Sequence, residues 1–470
     1  MSHHLRWLAS VAAGVALLGD VRPARAQCPP VLAASSPAAR VPATAALLRA
    51  RNDVQSPTRP EASPVVGDTV CVRLADLEAR LDGQNVQLLA ARLNVGAARA
   101  AVEQARLRRN PSLTIEQNAF NRSTGAVFDY TRTGNTELSV QQVVPVAGKR
   151  AHQIAVAVAN ADVAAFQYGD TLRTLRYRLR SSFFDLYFLR RALAADAQLL
   201  GVLQRAVSAA ERLYASRAIL LSEVVRLRAL LLAVESERLD DLGQIAEVQG
   251  GLRVLLGDVA PGAPEYVPDV DARRLDSLRV DTVSLPAALA RAGQTRAGVR
   301  LADAALRAEV ANLSLQRAQR VPDVSVGARY ARAGSYTREY VALTFGVDVP
   351  LFNRNQGNVR TAEYTVTANQ HLATAARGRV AQEVVTAYRK AVAADSLYRD
   401  TDARRLVDEF DRVLAGVSAD YARRNVGIIP FANLVDAYRQ AAHQIIQIQR
   451  TRVNALETLN YAVGASVVQP

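Results

Sequence analysis

The residue types that most often do chemistry are present in this sequence, but their spacing predicts no reactive site. The five histidines are scattered, and the two cysteines, Cys28 and Cys71, lack the close pairing of zinc ligands. The G-x-S-x-G, H-E-x-x-H and Walker patterns, which position nucleophiles, zinc and phosphates, are missing from the sequence. We therefore predict that the protein is not an enzyme and has no catalytic residues, no metal ligands and no cofactor.

The N-terminus predicts export from the cytoplasm. Arg6 is followed by the apolar run Trp7–Leu18 and then by a cleavage site at Ala24–Ala26, so residues 1–26 are predicted to form a signal peptide. No later apolar run is long enough for a spanning helix, so any insertion into a membrane must use strands. Outside the cytoplasm, three states of the cysteines stay open: a Cys28–Cys71 disulfide, acylation of Cys28, or two free thiols.

The formal net charge of +14 raises the question of a nucleic-acid partner. However, the arginines are spread singly along helical patterns and form no basic block. We therefore predict no nucleic-acid partner.

The elements that the sequence does specify are strands that lead into very long helices. Polar and apolar residues alternate over Glu137–Val144 and again over Tyr340–Val349, which is typical of strands with one polar and one apolar face. Each strand ends at a proline, Pro145 or Pro350, and a long proline-free helical pattern follows. Such long helices indicate a conduit or a coiled coil, and not a compact enzyme.

The same order of elements occurs twice. Further strands are predicted at Ser112–Phe120 and Val324–Tyr330, so each half of the chain reads helix, strand, loop, strand, long helix, break, helix. We divide the chain after the signal peptide into a flexible Pro/Ala-rich leader (27–70), a first repeat (71–257), a linker (258–284), a second repeat (285–464) and a tail (465–470). The predicted fold class is mainly α with a small β part.

The strands predict an oligomer. A strand of about ten residues can cross a bilayer when tilted, but four strands cannot close a barrel, and an open sheet edge in lipid leaves backbone groups unpaired. A dimer would supply eight strands and a trimer twelve. The alternative is a pair of soluble hairpins that cap a periplasmic coiled coil.

Four segments resemble the outer membrane efflux protein (TolC) family. They read NPSL at Asn110–Leu113, QVVPVAGKR at Gln142–Arg150, VPLFNRNQG at Val349–Gly357 and NVGIIPFANLVDA at Asn425–Ala437. Within the family, Glu223–Leu231 is similar to the outer-membrane subunits of cobalt–zinc–cadmium resistance systems.

The resemblance implies an architecture and a set of partners. The architecture is a homotrimer with a shared 12-stranded barrel of transmembrane strands in outer-membrane lipid and an α-helical barrel that extends into the periplasm. The implied function is a passive exit duct of a tripartite efflux system for heavy-metal cations or small toxic compounds. Its partners would be a periplasmic membrane-fusion adaptor and an inner-membrane pump of the resistance–nodulation–division (RND) class. A conduit for type I protein secretion and a non-transport periplasmic scaffold remain alternatives.

The resemblance also implies roles for three sets of residues. The strand-to-helix junctions would use Pro145, Gly148, Lys149, Arg150, Pro350, Asn353, Gln356 and Gly357. The helix tips that dock the adaptor would use Ile219, Leu220, Val426, Gly427 and Ile428, for which simple turn packing is the alternative. The periplasmic gate would use Asn433 and Asp436, and for Asp436 helix capping or ion pairing is the alternative. The sequence departs from the family at Arg217, where relatives commonly have glycine, and at Asn433, where many have an acidic residue.

Overall fold

The computed structural model describes residues 69–468, except 121, 123–124, 126, 129–134, 334–337, 402 and 424. The predicted signal peptide, Cys28 and nearly all of the predicted leader lie outside the described residues. In chain order, the described elements are β1 (Thr69–Val72), α1 (Leu74–Gln84), α2 (Val86–Arg106), β2 (Ser112–Gln117), β3 (Thr136–Val144), α3 (Lys149–Ala215), α4 (Leu221–Leu256), β4 (Glu265–Pro268), α5 (Ala272–Ser277), α6 (Leu285–Thr295), α7 (Ala297–Ala318), β5 (Val324–Ala333), β6 (Arg338–Val347), α8 (Gln356–Asp400), α9 (Ala403–Ala422) and α10 (Ile428–Val463).

Long helices dominate the structure, as predicted. Helix α3 has 67 residues, which corresponds to about 100 Å at 1.5 Å per residue. Its apolar residues recur at intervals of three and four, and this seam is buried at Leu175, Leu179, Phe183, Leu186 and Leu189. Helix α3 packs along α2, α4, α7 and α10, so it connects both halves of the molecule.

The four predicted strands form one antiparallel sheet at one end of the long helices. The strand order is β2-β3-β5-β6, so the hairpin of each half contributes two neighbouring strands. The pairing of β3 with β5 joins the two repeats, with Val140 opposite Ala328. Strands β2 and β6 are the outer strands of this sheet, and each has one edge without a partner strand among the described residues.

Three helices that the sequence pattern predicts as continuous are interrupted in the structure. Asn85 separates α1 from α2, because its side chain caps the Leu88 amide at 2.9 Å and donates to the Leu255 carbonyl at 2.8 Å. Arg296 separates α6 from α7 at the equivalent place in the second repeat and donates to the Tyr461 carbonyl at 3.0 Å. At the end of α8, the Thr401 hydroxyl donates to the Leu397 carbonyl at 2.7 Å, a local bond that competes with helix continuation.

The segment predicted as a linker, 258–284, contains ordered elements. Strand β4 pairs in parallel with β1, and Tyr266 is fully buried in the core that this pair shares with α3. The same part of the structure contains Cys71, which is disulfide-bonded. These contacts pack part of the predicted linker against α3, where sequence composition indicated only a connection between the two repeats.

A buried ion pair connects the predicted linker segment, 258–284, to the second repeat. Arg452 of α10 is 2% exposed and donates to the carboxylate of Asp395 in α8 at 2.7 Å. The same guanidinium donates to the carbonyls of Leu275 and Leu278 at 3.0 and 2.5 Å. One side chain therefore holds α10, α8 and the α5 segment together.

Within the described residues, no helix combines the length and the apolar character that crossing a membrane requires.

Candidate functional site

One face of the sheet is largely apolar and exposed to the surroundings of the chain, with Gln142 as a polar residue opposite Val326. The strand registers place Ile115 opposite Leu138, Leu138 opposite Tyr330, and Tyr330 opposite Val341. On β6, Val341, Leu343 and Phe345 are 72–74% exposed. The exposed side chains of this face are Leu113, Ile115, Leu138, Val140, Val144, Val326, Tyr330, Val341, Leu343, Phe345 and Val347. A patch of this kind marks a surface that lipid or another protein covers.

The opposite face of the same sheet is polar. Glu137 and Arg329 form an ion pair across strands β3 and β5 at 3.1 Å. Thr114 lies opposite Ser139, and Ser139 lies opposite Arg329. The alternation that the sequence predicted for these strands is therefore confirmed, with apolar and polar rows on opposite faces.

The first strand-to-helix junction, Pro145–Arg150, ties the two repeats to each other. Gly148 has a φ of +67° at the start of α3, a conformation that glycine adopts without steric cost. Lys149 is 7% exposed, and its Nζ lies 2.5 Å from the Asp323 carboxylate, just before β5. Arg150 donates to the Arg106 carbonyl at the end of α2. The Gly-Lys-Arg motif thus closes the turn and joins β3 to the start of β5, whereas Asp323 was not predicted.

The second junction, Pro350–Gly357, is held by side-chain amides. The Asn353 side chain accepts from the Asn355 amide at 3.0 Å, and the Gln356 side chain accepts from the Arg354 amide at 2.8 Å. Arg354 also donates to the Pro350 carbonyl at 3.2 Å. The predicted residues Pro350, Asn353 and Gln356 thus lie in one hydrogen-bonded turn.

The residue that sets the geometry of this turn is Asn355, which sequence reasoning did not single out. It has a φ of +58° at the start of α8, and its side chain donates to the Gln316 carbonyl at 2.8 Å. Asparagine tolerates this left-handed conformation better than most residues. Gly357 follows within α8 and has open space around it.

The first helix tip joins α3 to α4 through Ser216–Leu220. Arg217 has a φ of +60°, and the next amide, that of Ala218, donates to the Leu213 carbonyl at 2.8 Å. This is the usual left-handed end of a helix, built here with arginine in place of glycine. Leu220 is 70% exposed at the tip, and Ile219 packs against the core below it.

The second tip joins α9 to α10. Gly427 precedes α10 and is exposed, with ordinary van der Waals space for a side chain. Ile428 is only 5% exposed and packs in the core beneath the tips, where Val426 also makes contact. Ile429, which was not predicted, is 51% exposed. Of the residues predicted for docking, Leu220 and Gly427 are therefore exposed at the tips, and so is Ile429.

The two residues predicted for the gate are engaged in contacts within the chain. Asn433 accepts a hydrogen bond from Arg226 of α4 at 2.7 Å. Asp436 pairs with Arg439 at 2.9 Å, and Arg439 also contacts Glu237 of α4. Asn433 thus connects α10 to α4 directly, whereas Asp436 does so only through Arg439.

Above these contacts lies a group of titratable residues that we call the His443 cluster: Asp196 of α3, Glu237 and Asp241 of α4, and His443 of α10. His443 Nε2 lies 2.7 Å from Asp196 Oδ1 and 3.6 Å from Glu237 Oε2. The hydrogen bond that the His443 ring makes to the Asp196 carboxylate, opposed by burial, raises the pKa of His443 above its ordinary value. Burial, together with the charge of Asp196, raises the pKa of Asp241. Sequence spacing did not reveal this cluster, since its members come from three separate helices.

Comparison with known proteins is consistent with this architecture. Residues 79–258 match the family described as outer membrane efflux protein. The cobalt-zinc-cadmium resistance protein CzcC of Cupriavidus metallidurans is 22% identical over 289 residues, which cover 61% of this chain and 65% of that protein. The match thus spans a little less than two thirds of that relative.

Solved structures share the fold. CusC, which forms a transmembrane channel, superposes with a TM-score of 0.67 at 19% identity, covering 88% of this chain and 99% of CusC. The CmeC outer membrane channel of Campylobacter jejuni superposes with a TM-score of 0.68 at 13% identity, covering 84% of this chain and 86% of CmeC. Part of this chain, residues 79–258, is thus similar to outer membrane efflux proteins, and the chain shares its fold with solved outer-membrane channels.

Proposed function

We propose that the protein is the passive exit duct of a tripartite efflux system and that heavy-metal cations are its substrates. The observation that carries the duct is the sheet with one exposed apolar face and one polar face, which continues into the long helices α3, about 100 Å, and α8, about 68 Å. The similarity to a cobalt-zinc-cadmium resistance protein supports the substrate class.

The duct requires more than one copy of the chain. The outer edges of β2 and β6 would leave backbone N–H and C=O groups unpaired in lipid, which is costly. We propose that three copies pair these edges into a shared barrel with the apolar face toward lipid and Glu137 and Arg329 toward the lumen. Mass measurement of the detergent-purified protein tests this stoichiometry, and a stable monomer would refute it.

The test of the substrate is a susceptibility panel on a deletion strain. We expect increased sensitivity to cobalt, zinc or cadmium, reversed by the wild-type gene, and unchanged sensitivity to amphiphilic drugs. Drug sensitivity without metal sensitivity would contradict the metal assignment and leave the duct in place.

The exposed tips fit a docking surface for the periplasmic adaptor. Leu220, Gly427 and Ile429 are small or apolar residues exposed at the ends of the helices, where a helical partner can pack. We expect Gly427→Trp to abolish capture of the adaptor while the trimer still forms. Gly243→Trp, on an exposed side of α4 with open space, is the matched control and should capture the adaptor normally. Equal capture by both variants would exclude this surface.

For the gate, we propose that the tips open by a movement of the helix pair α9–α10 relative to α3–α4. The contacts that such a movement must break or carry along are Arg226 to Asn433 and Glu237 to Arg439. Engineered disulfides that lock neighbouring tips should stop export, and normal export with the lock demonstrably formed would refute the proposal.

A further inference from the structure

We infer that the His443 cluster is a binding site for a divalent cation of the zinc type, held in the wall of the periplasmic helices. The inference concerns a resident ion in the protein and goes beyond what the duct transports. It rests on ligand chemistry, geometry and unsatisfied buried charge.

The ligand atoms converge from three helices. One nitrogen of His443, one oxygen of Asp196 and one oxygen of Glu237 all lie within 4.8 Å of one another. Zinc binds imidazole nitrogen and carboxylate oxygen at about 2.0–2.2 Å, so two ligand atoms on one tetrahedral ion are about 3.4 Å apart. The 3.6 Å between His443 Nε2 and Glu237 Oε2 already suits this geometry. The 2.7 Å between His443 Nε2 and Asp196 Oδ1 would lengthen by a small rotation of either side chain.

Buried oxygen atoms in the cluster are unsatisfied. Asp196 is 1% and Asp241 is 8% exposed, and Oδ2 of each has no hydrogen-bond partner among the described residues. Oε2 of Glu237 likewise has no hydrogen-bond partner in that part of the chain. A buried carboxylate oxygen without a partner is costly, and a cation is the ligand that satisfies several such oxygens at once.

The charge of the cluster also favours a cation. Asp196, Glu237 and Asp241 bring three interacting carboxylates to one place. The guanidinium of Arg439, which contacts Glu237, is shared with Asp436. Arg450, whose charge also acts on Asp241, is paired with Asp185 at 2.6 Å. A neutral His443 and a divalent ion would balance the remaining negative charge.

The donor set selects the class of metal. One imidazole and carboxylates suit zinc, cobalt or nickel, whereas silver and copper(I) prefer sulfur ligands. The site connects α3, α4 and α10 about 30 Å from the first tip, since Asp196 lies 20 residues before Ser216. A bound ion would cross-link the three helices directly above the predicted gate residues.

The test is metal titration of the full-length protein purified in detergent and stripped with a chelator. We expect one Zn²⁺ per chain by calorimetry, a tetrahedral visible spectrum with Co²⁺, and no binding of Ag⁺ at the same site. His443→Gln and Asp196→Asn should each weaken Zn²⁺ binding at least about tenfold, since even the loss of an outer-shell partner has an effect of that size.

The matched control is His371→Gln, which changes an exposed histidine of α8 and should bind Zn²⁺ like the wild type. Circular dichroism and size-exclusion elution establish that the variants keep their fold and assembly. If the wild type binds no stoichiometric Zn²⁺, or if His443→Gln binds it equally well, the cluster is only an ion pair and the inference fails. These outcomes do not depend on whether the duct exports metals.

Discussion

An arginine on the apolar face of the sheet should impair insertion of the strands into the outer membrane. An arginine at the neighbouring position of the same strand, on the polar face, should not. Ile115 and Thr114 are neighbours in β2, but their side chains lie on opposite faces. Ile115 is 66% exposed and lies opposite Leu138, within the apolar row. Thr114 lies opposite Ser139, on the face that carries the ion pair of Glu137 with Arg329.

The size of the effect follows from the position in the strand. Arginine on the lipid face costs about 2–4 kcal/mol at the bilayer midplane, which is about 30- to 700-fold in the folding equilibrium per chain. We expect Ile115→Arg to lower the fraction of folded, membrane-inserted protein in outer-membrane preparations and in lipid vesicles by a factor in that range. Thr114→Arg adds a charge to the polar face and should insert nearly normally. Equal insertion of the two variants, or a larger loss for Thr114→Arg, would refute the orientation of the sheet.

Three further predictions concern the helical part. Arg452→Leu removes the buried guanidinium from Asp395 and leaves that carboxylate with Arg399 as its remaining ion-pair partner. The free energy of unfolding should fall by about 3 kcal/mol, and replacing both Arg452 and Asp395 by leucine should restore much of it; similar melting temperatures for the single variant and the wild type would contradict this. Arg217→Gly relieves a positive φ and should raise stability by up to about 1 kcal/mol, whereas Arg217→Ala should give no gain; a gain from alanine would show that the backbone is not strained there. Burial raises the pKa of Glu457, and the charge of Arg180 offsets this only partly, so the free energy of unfolding of the wild type should fall as the pH rises from about 4.5 through the raised pKa. Thermal unfolding of Glu457→Gln across this pH range should lack that fall. An unchanged pH dependence in this variant would exclude Glu457 as the source of the fall.

The elements with a clear period were predictable from the sequence. The strands around Ser139 and Leu343 alternate strictly, and α3 repeats its leucines at helical spacing, so their faces follow from local geometry. The turns at Gly148 and Asn353 were predictable because motifs carry them. Local patterns were sufficient for these strands, helices and turns because the interactions that form them act between residues close in sequence.

Other features depended on residues far apart in the sequence. The helix breaks at Asn85 and Arg296 arise from hydrogen bonds to residues of other helices. The helical pattern of apolar residues runs through both positions, so it does not mark the breaks. The regular structure in the segment predicted as a linker includes the pairing of β4 with β1, which no local sequence pattern predicts. Ile428 looked like an exposed tip residue, but α10 turns its side chain into the core beneath the tip.

The amino-acid sequence by itself determined the repeated order of elements, the amphipathic strands and the long helices, because hydrophobic period is a local property of the chain. Only the tertiary structure decided which residues meet. It paired Lys149 with Asp323 and Arg452 with Asp395, and it brought His443 close to three carboxylates of two other helices. Such contacts depend on the packing of helices that are distant in sequence, and that packing cannot be predicted from the spacing of residues along the chain.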